Sequence, residues 1–200
     1  MNYMNYKKIV LLSSILMLSG CVGLPLLVLN QEQDVVNTTY TQSYNDKNQA
    51  RLRIYYKFAN INMYKNNSCD EWKSKKVKNY IQSLATSLPN TEIVSIGMPY
   101  TEDSSSILNV PQKGWGPKST FKEYLLDANK PLVLDARRVE TTGEYSCQIA
   151  SSFIPEAGRD YEAWYSGDNT SCSIQLREIT KEKVNTLYQT QKLNKLQMCR

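Results

Sequence analysis

Arg51-Leu52-Arg53-Ile54-Tyr55-Tyr56-Lys57-Phe58 is the stretch on which the fold class turns. Leu52, Ile54, Tyr56 and Phe58 alternate with Arg51, Arg53, Tyr55 and Lys57. Side chains of an extended chain point to opposite faces in turn, so this period of two is the signature of a half-buried β-strand.

The same period recurs toward the C-terminus. Cys147, Ile149, Ser151 and Phe153 share one phase, and Tyr145 precedes them. Pro155 and Gly158 turn the chain, after which Tyr161, Ala163 and Tyr165 alternate with Asp160, Glu162 and Trp164. Gly167-Asp168-Asn169 turns it again into Cys172, Ile174 and Leu176. These segments read as a three-strand meander. Shorter strands are expected over 92–96, 121–126 and 132–139. About seven short strands separated by turns predict a mainly β chain, an antiparallel sandwich of immunoglobulin-like or transthyretin-like type. One or two short helices accompany it. Val77, Tyr80, Ile81, Leu84 and Leu88 have helical spacing behind Asp70. The tail from Thr180 places Val184, Leu187 and Tyr188 at helical spacing and is expected to be weakly helical. Residues 97–118, rich in Gly, Pro and Ser, read as one long loop, a feature that in a compact domain is usually functional or disordered.

The N-terminus sets the address. Lys7 and Lys8 precede an apolar run, Ile9 to Leu18, and the small residues Ser19 and Gly20 lead to Cys21. That is the order of an export signal. Leu18-Ser19-Gly20-Cys21 resembles the lipobox of bacterial lipoproteins, in which the chain is cut before the cysteine and its thiol carries a diacylglycerol. The resemblance implies an anchored protein of the cell envelope. Val22 after the cysteine points to the periplasmic face of an outer membrane. The domains expected are a signal peptide over 1–20, the lipidated Cys21 with a polar tether over 21–48, the sandwich over 49–179, and a tail over 180–200. The alternative for the N-terminus is an uncleaved span over 9–29, weakened by Gly20, Gly23 and Pro25.

Several segments in order also resemble a family of Gram-negative envelope lipoproteins. They are Ala50-Arg51-Leu52-Arg53-Ile54, Ser68-Cys69, Ser95-Ile96-Gly97-Met98-Pro99, Phe121-Lys122-Glu123-Tyr124, Lys130-Pro131-Leu132, and Phe153 through Glu162 leading to Cys172. The match covers most of residues 49–178. It implies an anchored β-rich domain and carries over no activity and no catalytic residue.

Composition narrows the chemistry. A net charge of +5 falls once Lys7 and Lys8 leave with the signal, and acidic and basic residues are interspersed, so no nucleic-acid footprint is read. Cys69, Cys147, Cys172 and Cys199 remain after Cys21, an even number that in an exported chain reads as two disulfides. Cys147–Cys172 with Cys69–Cys199 is the preferred pairing. The meander itself argues against the first of these, since strands two apart lie nearly 10 Å from each other. Without any CxxC spacing or histidine, no metal site is expected, nor any cofactor.

The absence of histidine removes the usual Ser-His and Cys-His triads. Ser119-Thr120-Phe121-Lys122 matches the S-x-x-K pattern but lacks its partner motifs. Glu156, Asp160 and Glu162 offer paired carboxylates for glycoside hydrolysis, yet Asp160 and Glu162 share a phase that reads as a solvated outer face. Trp115, between two glycines in the long loop, and Trp164, in outward phase, are the candidate contact residues for an envelope protein or a glycan. The expectation is a non-enzymatic, lipid-anchored binding or structural module. An immunity protein against an envelope-acting toxin or lysozyme-like enzyme is the alternative, and a carboxylate-based glycan-acting enzyme ranks behind both.

Overall fold

The computed structural model describes residues 35–56, 59–74, 92–110, 112, 118–139, 146–168 and 171–200. The lipobox, Trp115 and most of the expected helix over 70–88 lie outside them.

The chain is a β-sandwich. One sheet of seven strands has the order β1-β4-β5-β2-β8-β9-β10, and a second of four has the order β11-β7-β6-β3. In the first sheet are β1 (Val36–Thr39), β2 (Gln49–Tyr56), β4 (Glu92–Ser95), β5 (Thr120–Asp127), β8 (Asp160–Gly167), β9 (Cys172–Val184) and β10 (Leu187–Lys192). The second holds β3 (Asn60–Lys65), β6 (Leu132–Val139), β7 (Ser146–Phe153) and β11 (Gln197–Met198). Pairing is largely antiparallel, while β2–β8, β1–β4 and β4–β5 run parallel.

Between the sheets lies the core. Leu52 and Ile54 of β2, Ala163 of β8 and Leu176 of β9 meet Leu134 and Ala136 of β6 and Phe153 of β7, all buried. Each Leu, Ile or Phe side chain so taken from water contributes roughly 1.5–3 kcal/mol, and each Ala less. A helical segment over 69–74, here α1, brings Trp72 onto the outer face of the smaller sheet, where it packs with Val133 and Ala150.

Four sequence expectations are corrected. First, β7, β8 and β9 form no meander: β7 belongs to the smaller sheet, and β8 pairs with β2 and β9. Cys147 and Cys172 therefore face each other across the sandwich, not across an intervening strand. Their Cα atoms are 6.4 Å apart and the disulfide joins the two sheets. Cys69–Cys199, with Cα atoms 5.1 Å apart, fastens the tail to α1.

Second, the tail is a hairpin. β9 continues to Val184 and returns as β10 through Asn185 and Thr186, both at positive φ. Val184 pairs with Leu187 across a two-residue turn, which brings residues three apart together as a helix would, while Tyr188 pairs with Lys183. Third, residues 97–118 are not loop throughout. They include α2 (Glu102–Asn109), opened by a capping box between Thr101 and Ser104 and by acidic residues in its first turn. Fourth, β1 lies within the span expected to be tether and pairs with β4.

Removing either disulfide by paired Cys→Ser changes is expected to destabilise the domain by its loop-closure entropy, about 3.5 kcal/mol for Cys147–Cys172 and about 5 kcal/mol for Cys69–Cys199. Urea unfolding of the two variants tests the order. A larger loss from the Cys147–Cys172 pair would contradict it.

Candidate functional site

β2 runs through the middle of the larger sheet and is covered on both faces. On the outer face the register sets Glu123 of β5 opposite Arg53, Glu162 of β8 on the other side of Arg53, and Arg177 of β9 beyond Glu162. The result is a row of alternating charge across four strands. Segment 96–109 lies over it. Arg53, Glu123 and Glu162 have side chains with no exposure at all. The solvated face expected for Asp160 and Glu162 is thus a covered one. Asp160 is also engaged, in a bidentate pair with Arg51 at 2.6 and 2.7 Å.

Arg53, Glu123 and Glu162 are each held by several bonds. Arg53 donates from Nε and Nη2 to Glu123 Oε1 at 2.9 and 2.6 Å, and from Nη1 to Glu162 Oε1 at 2.7 Å. Nη2 also donates to the carbonyl of Pro99 at 3.0 Å. The other oxygen of Glu123 accepts from Ser95 Oγ and from the backbone N–H of Ile96 and Met98 at 3.0, 2.7 and 3.1 Å. Glu162 Oε1 further accepts from Tyr55 at 2.5 Å and from Thr101, the N-cap of α2, at 2.8 Å. Glu162 Oε2 is buried and takes no hydrogen bond among the described residues.

Two of the groups here have their proton equilibria displaced. Burial and the neighbouring Glu162 carboxylate push the Tyr55 hydroxyl well above the usual phenol range. Burial on its own would lower the Arg53 guanidinium, but Tyr55 and the two carboxylates more than reverse this and hold it above the ordinary arginine value. Isolated buried charges are very unfavourable, so the covering segment is kept in place by the same bonds that make burial of the row tolerable.

Where the row ends, a cleft of about 450 Å³ opens. It sits at the C-terminal ends of the parallel pair β2 and β8 and the start of β5. Tyr55, Tyr56, Trp164 and Tyr165 supply aromatic surface, and Asp103, Ser106 and Ile107 of α2 form a facing wall. Tyr55 and Trp164 are register partners. Arg177 also lines the cleft: its guanidinium lies 4.4 Å from the centre of the Trp164 ring and bonds Asp103 at 3.2 Å. The Tyr55 hydroxyl belongs to the buried row, and that of Tyr56 bonds Tyr124 at 3.1 Å.

Of the two tryptophans picked out by sequence, Trp164 lines this cleft and Trp115 lies outside the described residues. The Trp164 side chain is half-buried, with the Arg177 guanidinium over its ring. Glu156 is not part of the site and pairs at the surface with Lys195 at 2.8 Å. Lys122, from the S-x-x-K match, pairs with Glu92 at 3.1 Å. Sequence reasoning missed Arg53, Glu123, Asp103 and Arg177. For Arg53, Glu123 and Arg177 the only signal was in-phase placement on separate strands, which becomes informative once register is known, and Asp103 lies in the first turn of α2.

Among the described residues no three His, Cys, Asp or Glu side chains are grouped to hold a metal ion, and no helix is long and apolar enough to cross a membrane. Compared with protein families, with curated proteins and with solved structures, the chain has no match.

Arg53→Met leaves two carboxylates buried against one another. It is expected to cost about 3–5 kcal/mol, and the triple change Arg53→Met, Glu123→Leu, Glu162→Leu is expected to recover most of that loss. Chemical denaturation measures both. A loss below about 1 kcal/mol for the single change would mean the row is not a buried ionic cluster.

Proposed function

We propose that this protein is a lipid-anchored module of the cell envelope that binds a partner in the cleft beside Trp164 and catalyses no reaction. The observation that carries the reading is the state of the carboxylates. Glu123 and Glu162 are buried and bound to Arg53, Asp160 is bound to Arg51, and Asp103, the carboxylate that lines the cleft, is paired with Arg177. Glycoside hydrolysis needs two carboxyl groups within reach of a ligand, and among the described residues Asp103 lines the cleft without a second one beside it. What faces the cleft instead is aromatic surface with a few convergent polar groups, the usual make-up of a recognition site.

The envelope address rests on Leu18-Ser19-Gly20-Cys21 and is supported by the two disulfides, which persist in oxidising compartments. Anchoring at Cys21 leaves residues 22–35 before β1. At most about 3.3–3.6 Å per residue, that chain confines the sandwich to within roughly 50 Å of the bilayer. Several acyl chains on one cysteine hold firmly, because each buried CH₂ contributes about 0.8 kcal/mol. The partner is then another component of the same envelope, protein or glycan, at the periplasmic face of an outer membrane.

Metabolic labelling with palmitate, followed by cell fractionation, tests the anchor. The full-length chain is expected to take up label and sediment with membranes, and Cys21→Ser to lose both properties. An unlabelled wild-type chain, or a Cys21→Ser chain still embedded in the membrane, would contradict the assignment.

A further inference from the structure

We infer that the cleft beside Trp164 takes an uncharged saccharide, a reading that rests on the cleft being the binding site and adds the chemistry of its ligand. The electrostatics of the walls select for this class. Arg177 and Asp103 face each other at 3.2 Å and are the charged groups lining the cleft, one of each sign. Behind Tyr55 stand two carboxylates against one guanidinium, which disfavours an anion. A quaternary or methylated ammonium would have to sit beside the Arg177 guanidinium, a like charge already placed over one face of Trp164.

An uncharged ring with apolar and hydroxylated surfaces suits what remains. The C–H face of a pyranose packs on aromatic carbon, which Trp164, Tyr165 and the rings of Tyr55 and Tyr56 provide. Its hydroxyls need a donor and an acceptor side by side. Among the described residues Arg177 uses Nη1, and Asp103 uses Oδ2, in their mutual bond; the other guanidinium nitrogens and Oδ1 are not engaged. Both side chains are substantially exposed, at 37% and 55%, so a ligand reaches them. Ser106 and Ser119 line the same space, and the Ser106 hydroxyl, which donates to the Asp103 carbonyl at 2.8 Å, keeps its capacity to accept. A volume of about 450 Å³ falls in the range of small-ligand clefts, room for one or two sugar rings.

The test uses the full-length protein in a detergent without a sugar headgroup. Maltotriose, cellotriose and the trisaccharide of N-acetylglucosamine are titrated by calorimetry, with saturation-transfer NMR as the second readout. At least one is expected to bind saturably at about 10 mM or below, and Trp164→Ala to weaken it at least about tenfold. Asp103→Asn, at an exposed position, is expected to weaken it severalfold with the melting temperature unchanged, which guards against a Trp164 variant that does not fold. Tetramethylammonium and inorganic phosphate are expected not to bind. Failure of all three trisaccharides, or equal binding by wild type and a folded Asp103 variant, overturns the saccharide assignment. In that event, loss of in-cell crosslinks by the Trp164 variant would leave the cleft as the binding site and reject only the ligand class. Unchanged crosslinks would reject both.

Discussion

Arg53 is a guanidinium with no exposed surface, placed at the centre of a seven-stranded sheet between two carboxylates with which it is in direct cross-strand register. Desolvating such a group costs several kcal/mol, and only close, multiple hydrogen bonding offsets that cost. The bonds come from β5 and β8 on either side and from the 96–101 segment above. Removing any one source strands a charge in a dry environment. This constraint ties the central strand, its neighbours and the covering segment into one unit.

The cleft follows from that unit. Thr101 caps α2 and also donates to Glu162, so the same carboxylate that balances Arg53 fixes where α2 begins. Asp103 and Ser106 then lie across from Trp164, and Arg177, the last member of the charged row, closes the gap by stacking on the indole and pairing with Asp103. The carboxylates hold structure, and the rings and the exposed ion pair are left for recognition. That division separates a binding reading from a hydrolytic one, even though both start from glutamates and aromatics near a groove.

Much of the β architecture was legible in the chain because period two survives in single segments: Leu52, Ile54 and Tyr56, or Tyr161, Ala163 and Tyr165, mark one inward face each. The opposite phase was misleading. Arg51, Arg53, Asp160 and Glu162 look solvated by composition, and the cover of the last three depends on partners 45 to 109 residues away, which one sequence does not pair. The disulfide Cys147–Cys172 was preferred despite a geometric objection. The objection came from placing β7, β8 and β9 in one sheet, and it disappears when β7 crosses to the other. The hairpin after Thr180 was hidden because Val184, Leu187 and Tyr188 satisfy helical spacing and a two-residue turn equally well. α2 left a trace in Thr101-Glu102-Asp103-Ser104, whose side chains favour a helix start although the run that follows is a poor helix former.

Native-state hydrogen exchange at the backbone amides of Ile96 and Met98 reaches the central claim most directly. Both donate to Glu123 Oε2, on the side away from Arg53. If the charged row holds the covering segment, these amides exchange only with global unfolding, as slowly as those of Leu52 and Ile54. In Glu123→Ala they then exchange through local opening while β6 and β7 keep their protection. Fast exchange at Ile96 and Met98 in the wild-type protein, or protection unchanged by Glu123→Ala, would contradict the account.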